Sequence, residues 1–162
     1  MLTHPKKLVS LLFTSTDLPI WSGLETTATL YQKDQEQFHL LMTEPVVRDR
    51  DIPFSKATLT TSTVITPRLL WLEFSPYRAV LTMQGNGSFT YRHLWERGLY
   101  GLSQFSLQCE VDRSRPLCLR NFTRNLDLKF GSRAIELRVE YELWSEQTQL
   151  GRYVLAVEIR ND

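Results

Sequence analysis

The feature that most constrains the fold of this chain is an alternation of apolar and polar residues with a period of two. From residue 135 to 143 every second residue is apolar or aromatic, and the residues between them are charged. Successive side chains of a β-strand point to opposite faces, so this segment predicts a strand with one core face and one solvated face. Residues 152–158 alternate in the same way. From residue 24 onward a period of two dominates over helical spacing, which predicts an all-β protein.

The two clearest segments predict an antiparallel hairpin around a five-residue loop at 145–149. On the core face the predicted pairs are Tyr141 with Tyr153, Val139 with Leu155, Leu137 with Val157, and Ile135 with Ile159. On the outer face Glu142 lies opposite Arg152. A slip by one residue would send the apolar side chains of one strand to the wrong face, so the alternation specifies this register strongly.

A second hairpin is predicted around Gly85-Asn86-Gly87, because Asn-Gly between alternating runs is a strong turn signal. We favour a three-residue loop with Gly87 in the left-handed conformation, since a two-residue loop would set Leu81 opposite Arg92. The predicted pairs are Met83 with Phe89, Leu81 with Tyr91, Ala79 with His93, and Tyr77 with Trp95.

About nine short strands between residues 24 and 160 predict one antiparallel β-barrel, or a curled β-sandwich, that spans residues 1–162. The other segments are 24–31, 38–43, 57–66, 69–74, 105–111, 116–119 and 126–130. A length of 162 residues suits one domain with an ordinary core. Residues 1–18 predict a short N-terminal helix or extension, with Thr3 or His4 as its cap and Leu8, Leu11 and Leu12 on one face.

The same N-terminal segment begins like a signal peptide, with two lysines before an apolar stretch. Ser10 interrupts that stretch and no small-residue cleavage site follows it, so we expect a cytoplasmic protein, with a secreted form as the alternative. No apolar run approaches the roughly 20 residues that a membrane-spanning helix needs, and no membrane span is expected.

The strand spacing is similar in outline to that of the calycins, the lipocalin-like barrels. Ile20-Trp21-Ser22-Gly23, just before the first predicted strand, resembles the tryptophan that lies near the first strand in that group. It departs from the group's Gly-x-Trp motif in the order of the residues. The resemblance therefore implies a fold and not a function.

The two cysteines fall opposite each other if the turn is centred between Arg113 and Ser114. Cys109 and Cys118 are expected to be reduced, since disulfides are rare in the cytosol, and a cross-strand disulfide is the alternative. No Cys-x-x-Cys or His/Cys cluster is present, so no metal site is expected. No dinucleotide or phosphate-cradling motif occurs either, and no cofactor is expected.

The candidate ligand site is the aromatic face of the second hairpin, where His93 could act as a polar anchor inside a barrel. The candidate ligand-binding residues are Tyr77, Tyr91, His93 and Trp95, with Trp71 and Tyr100 placed nearby. The alternative interpretation is a filled core in which His93 is a structural residue with one backbone partner.

A second candidate surface is the basic segment 113–133, which holds six basic residues and a single acid, Asp127. Arg113, Arg115, Arg120 and Arg124 are the candidate partner-binding residues there. Because the net charge of the whole chain is only +1, a protein partner is expected rather than a nucleic acid. The acidic residues of 136–142 and Glu158 predict a solvated outer face rather than a pair of catalytic carboxylates.

No catalytic motif stands out in the chain, and Gly-x-Ser-x-Gly is absent. The sequence therefore favours a non-enzymatic binding module that holds or delivers an apolar or aromatic small molecule within a barrel. The alternative is a protein-interaction or assembly adaptor that uses the basic segment or an exposed sheet edge such as residues 57–66. A weaker alternative is a lyase or isomerase in the barrel mouth, with His93 or a glutamate as acid or base.

Overall fold

The computed structural model describes residues 5–43, 69–84, 89–107 and 117–161. These residues form ten β-strands and no helix. In chain order the strands are β1 (Lys6–Ser15), β2 (Trp21–Gln32), β3 (Phe38–Thr43), β4 (Leu69–Phe74), β5 (Arg78–Gln84), β6 (Phe89–Glu96), β7 (Tyr100–Leu107), β8 (Leu117–Phe130), β9 (Ala134–Ser145) and β10 (Thr148–Arg160).

The strands close into one barrel in the order β1-β10-β9-β8-β7-β6-β5-β4-β3-β2, and every neighbouring pair is antiparallel. The predicted all-β antiparallel barrel is confirmed, and the sandwich alternative is not adopted. Each described strand pairs on both sides, so among these ten strands no edge is left open. A sheet edge at residues 57–66, the alternative partner site, lies outside the described residues.

The predicted N-terminal helix is wrong, because residues 6–15 form β1. This strand pairs with β10 on one side and β2 on the other, so it closes the barrel. Val9 and Leu11 point inward and are buried, whereas Leu8 and Leu12 are exposed. The leucine spacing that suited a helix also fits a strand. The backbone hydrogen bonds to two neighbouring strands decide the outcome.

The register of β9 and β10 is confirmed pair by pair, from Tyr141 with Tyr153 to Ile135 with Ile159, and Glu142 lies opposite Arg152. The connection differs from the predicted five-residue loop. Ser145 pairs with Thr148, and the register then shifts between Gln149 and Gly151. A tight turn followed by a β-bulge therefore produces the same pairing as the longer loop.

The register of β5 and β6 differs from the prediction by two residues. Ala79 pairs with Trp95, Leu81 with His93 and Met83 with Tyr91. The inward face is the predicted one, because a shift of two preserves it. The apolar alternation fixes which face is buried, but it does not separate registers that differ by two. The turn at Gly85-Asn86-Gly87 lies outside the described residues.

The predicted position of Cys118 opposite Cys109 is wrong, since Cys118 lies opposite Gln104 on the outer face of β7 and β8. Cys118 is a free and exposed cysteine, as predicted for a reduced residue. Cys109 lies outside the described residues. Trp21, the residue of the calycin resemblance, is 74% exposed at the outer start of β2. Among the described residues no helix is long and apolar enough to cross a membrane.

The inner face divides into two halves along the barrel axis. We call the lower end the one that carries the β2–β3, β4–β5, β6–β7 and β8–β9 turns, and the upper end the one that carries the β1–β2 and β9–β10 turns. The lower and middle interior is filled by apolar side chains. Its most deeply buried members are Leu40, Met42, Leu72, Leu81, Leu126, Leu137, Val139, Leu155 and Ile159. The upper interior is different, and it positions the candidate site. It extends down to the β6–β7 turn, because β6 and β7 are short and this turn hydrogen-bonds to Thr123 within the upper half of β8.

Two local irregularities bring polar groups into that upper interior. β8 contains a bulge between Thr123 and Asn125, which keeps Asn121 and Thr123 inside and turns Arg124 to the outside. β7 contains Gly101, where an added Cβ would overlap the carbonyl oxygen of Leu94 and lie 3.1 Å from Oδ1 of Asn121. Glycine here permits the close approach of β6, β7 and Asn121.

We predict that Gly101→Ala destabilises the protein by about 1–3 kcal/mol, because the methyl group must displace a backbone carbonyl. Gly23→Ala is the matched control, since its Cβ would meet Leu12 and Trp21 only at 3.5 and 3.7 Å. Urea unfolding of both variants measures the difference. Equal stability of the two variants would contradict this account of Gly101.

Candidate ligand-binding site

A connected set of rings lines the upper interior, and we call it the aromatic cluster. Its members are Tyr91, His93, Trp95, Phe105, Tyr141 and Tyr153. The imidazole of His93 stacks on the indole of Trp95 with centroids 5.1 Å apart and planes 5° from parallel. Tyr141 bridges to the other side of the barrel, 5.2 Å from Trp95 and 5.6 Å from Tyr153. The cluster therefore reaches from β6 and β7 to β9 and β10.

A short chain of hydrogen bonds crosses three strands beside the aromatic cluster. Asn121 Nδ2 donates to Ser103 Oγ at 2.9 Å, and Ser103 Oγ lies 2.7 Å from Nδ1 of His93. The serine oxygen accepts from the amide, and it can still either donate its own hydrogen to Nδ1 or accept from an Nδ1–H, according to the tautomer of His93. Asn121 and Ser103 thus orient the ring of a buried histidine.

Burial sets the protonation states in this region. Desolvation lowers the pKa of His93 from 6.5 to about 4, so the imidazole is neutral at physiological pH. Burial also raises the pKa of Tyr141 well above its ordinary value, with the nearby Tyr153 and Tyr91 acting in the same direction. His93 and Tyr141 are therefore uncharged hydrogen-bonding groups in the folded protein at neutral pH.

Three polar atoms beside the aromatic cluster are buried and have no hydrogen-bond partner among the described residues. They are Nε1 of Trp95, Oδ1 of Asn121 and Oγ1 of Thr123. The set includes a donor, an acceptor and a hydroxyl that can do either. A buried polar atom without a partner costs about 1–3 kcal/mol, so each of these atoms calls for an explanation.

The upper end of the interior is partly exposed. Six inward-facing residues at this level are only partly buried, whereas others, including Met83 and Leu119, are buried. The partly exposed inward residues are Phe13, Leu24, Tyr91, Phe105, Leu143 and Tyr153. They are apolar and aromatic side chains from six of the ten strands. We call these residues, together with His93, Ser103 and Asn121, the upper site.

The structure brings together only half of the predicted ligand-binding residues. Tyr91, His93 and Trp95 lie side by side in the upper interior. Tyr77 lies in the turn between β4 and β5 and is 65% exposed, so its predicted pairing with Trp95 is wrong. Trp71 and Tyr100 lie on the outer face, each about half exposed. Trp71 packs near His39, and Tyr100 packs against Phe122.

Sequence reasoning missed several residues of the upper site. The alternation assigns Phe105, Tyr141 and Tyr153 to the apolar faces of their strands. In a closed barrel the apolar faces of all strands line one interior, so these residues could have been predicted to lie near His93. Ser103 and Asn121 carry no such signal. They reach the interior because β7 and β8 bring them beside His93.

The two described arginines among the predicted partner-binding residues, Arg120 and Arg124, interact with other residues of the barrel. Arg120 donates to the carbonyl oxygen of Glu146 at 2.6 Å and lies 5.1 Å from the ring centroid of Tyr100. Arg124 forms an ion pair with Glu142, a carboxylate that is only 6% exposed although it lies on the outer face. Trp144 Nε1 donates to the other oxygen of Glu142 at 3.1 Å. Arg113 and Arg115 lie outside the described residues.

The lower end of the barrel carries a separate open cleft of about 630 Å³. It is lined by Leu30, Gln32, Gln35, Phe38, Phe130 and Ile135. None of the predicted site residues lies in it. Among the described residues no group of three or more His, Cys, Asp or Glu side chains is placed to hold a metal ion.

The fold and the upper site define a closed ten-stranded antiparallel barrel with a polar and aromatic interior at one end. Among solved structures, the chain is similar to the YwiB protein from Bacillus subtilis, with a TM-score of 0.64 and 9% sequence identity. The match covers 97% of this chain and 93% of that one. At this identity the similarity establishes the fold alone. No protein-family model matches the chain, and no curated protein matches it.

The lowered pKa of His93 predicts a pH dependence of stability. The unfolded chain takes up a proton on this residue below about pH 6.5, whereas the folded protein does so only near pH 4. The contribution is therefore complete above about pH 6.5 and is lost as the pH falls. At about 1.4 kcal/mol for each pKa unit, full protonation costs the fold roughly 3 kcal/mol.

We expect the free energy of unfolding in urea to fall by about 2–3 kcal/mol more in the wild type than in His93→Gln between about pH 7 and pH 4.5. Glutamine is neutral at both pH values and can still accept a hydrogen bond from Ser103. Parallel pH curves for the two proteins would show that the buried imidazole does not control this loss.

Proposed function

We propose that this protein is a non-enzymatic binding module that holds a small apolar or aromatic molecule in the upper site. One observation carries the proposal: buried donors and acceptors without partners among the described residues lie beside the aromatic cluster, whose members Tyr91, Phe105 and Tyr153 are partly exposed. Small-molecule sites are typically concave and mostly apolar, with a few placed polar groups that orient the ligand. The upper site has the aromatic side chains and the few buried polar groups of such a site.

The fold supports the same conclusion through its size. An eight-stranded barrel leaves an interior just wide enough for side chains or one small ligand, and ten strands enclose more space. In the lower and middle barrel, large aliphatic side chains and the stacked rings of Phe38 and Phe74 fill most of that space. At the upper end the inward residues include serine, glycine and asparagine, which occupy less volume and leave polar atoms facing the interior.

A catalytic role is less well supported. Among the described strand residues, every glutamate and aspartate lies on the outer face, so the interior has no carboxylate to act with His93. His93 is buried, hydrogen-bonded to Ser103 and neutral at physiological pH, and no described carboxylate lies beside it. These properties suit a hydrogen-bonding anchor better than a general acid.

The adaptor alternative is also less well supported by the described residues. Arg120 and Arg124 are engaged by Glu146, Tyr100 and Glu142, so their charges are partly compensated within the barrel. The closed barrel offers no strand edge among the described strands for a peptide to extend.

The experiment is a fluorescence titration with N-phenyl-1-naphthylamine, an uncharged aromatic probe whose emission rises in apolar sites. We expect Tyr91→Ala and His93→Ala to weaken its binding about tenfold, which corresponds to about 1.4 kcal/mol. Trp71→Ala and Tyr100→Ala are matched controls, since they remove aromatic side chains of similar size from the outer face.

The controls should bind the probe within about twofold of the wild type. Circular dichroism and urea unfolding verify that each variant is folded. Two outcomes would overturn the proposal: no binding of the probe to the folded wild type, or binding that Trp71→Ala or Tyr100→Ala weakens and the inner variants do not.

A further inference from the structure

We propose that the upper site selects an uncharged, planar aromatic ligand with its own hydrogen-bonding groups, and discriminates against an anion of the same shape. This inference rests on the proposed function and adds the chemical class of the ligand. It runs against the simplest expectation from the basic segment, whose arginines would favour an anionic ligand.

The first argument is the charge distribution. In the upper site no described inward-facing side chain carries a formal charge at neutral pH. The arginines at this level of β8 and β10, Arg120, Arg124 and Arg152, point outward and are exposed. An anionic ligand inside would leave water without gaining a cation in exchange, and desolvation of an unpaired charge is strongly unfavourable.

The second argument is the state of His93. An imidazolium would offer an anion a counter-charge, but His93 is buried with no carboxylate among its contacts in the described strands, and desolvation keeps the ring neutral at physiological pH. The other titratable side chains of the aromatic cluster are tyrosines: Tyr91 on β6 contacts His93, and Tyr141 on β9 and Tyr153 on β10 follow beyond Trp95. None of them can stabilise a positive imidazole as a carboxylate would.

The third argument is the complementarity of the polar atoms. The unpartnered indole N–H of Trp95 requires an acceptor, and the unpartnered Oδ1 of Asn121 requires a donor. A neutral ring system that carries both groups would satisfy these atoms, whereas a sulfonate, phosphate or carboxylate group offers acceptors only. The flat stack of His93 on Trp95 provides parallel aromatic faces in the same region.

The test compares two probes that differ in one group. N-phenyl-1-naphthylamine is neutral, and 8-anilinonaphthalene-1-sulfonate carries a sulfonate on the same ring system. We expect the purified full-length protein to bind the neutral probe at least about tenfold more tightly than the anionic one. Tyr153→Ala should reduce binding of the neutral probe, and Trp71→Ala should not.

A gain-of-charge variant provides a second, independent measurement. Leu143 points inward and is half-buried at the upper end, and arginine there could extend its guanidinium to the mouth. Leu143→Arg should bind the sulfonate probe more tightly than the wild type does. The difference in affinity between the neutral and the anionic probe should therefore become smaller or change sign. A matched Leu150→Arg, at an exposed position, should leave the preference unchanged.

The outcomes separate the two proposals. If both probes bind with equal affinity and both are lost in Tyr91→Ala, the upper site is a binding site but the inference about ligand charge is wrong. If the neutral probe does not bind, or binds without dependence on the inner residues, the proposed function itself fails. Tighter binding of the neutral probe by the wild type, together with tighter binding of the sulfonate probe by Leu143→Arg, would support both the proposed function and the inference about ligand charge.

Discussion

The rest of this structure depends on the pairing of β1 with both β10 and β2. That pairing turns a meander of nine strands into a closed barrel of ten, and it satisfies the backbone hydrogen bonds of the first and last strands. Closure also divides every strand into an inner and an outer face, with Val9 and Leu11 completing the inner one. Without β1 the interior would open to solvent between β2 and β10, and no enclosed upper site could exist.

The interior that closure creates is not uniform. Below, aliphatic side chains pack into an ordinary dry core, which supplies most of the hydrophobic stabilisation. Above, a histidine, a serine and an asparagine form a hydrogen-bond chain among aromatic rings. Such groups cost stability when they lack partners, and replacing them with apolar residues would make a better core. Their placement beside partly exposed aromatic side chains is the basis of the proposed binding role.

The separation of charge from this interior is the other organising property. Glu142 is an example. This carboxylate is buried, yet it lies on the outer face, where it contacts Arg124, Arg152 and Trp144. The bulge in β8 is what places Arg124 beside it and Thr123 inside. One local irregularity thus sets both the outer ion pair and the inner polar surface.

Parts of the site were predictable and parts were not. The alternation placed Tyr91, His93 and Trp95 on one inward face, because residues two positions apart in a strand point to the same side of the sheet. Tyr77, Trp71 and Tyr100 were grouped with them by proximity in sequence, and the structure places them in a turn and on the outer face. The polar partners Ser103 and Asn121 were not predictable, since each lies on a different strand and neither residue type signals burial.

The sequence by itself determined the all-β class, the inward faces of the hairpin strands and the register of β9 and β10. These follow from the two-residue periodicity of side chains along a strand, which is a local property. Only the tertiary structure decided that residues 6–15 are a strand, that β5 and β6 pair two residues out of the predicted register, and that His93 meets Asn121 through Ser103. Those outcomes depend on hydrogen bonds and packing between segments distant in the chain, and no local pattern encodes them.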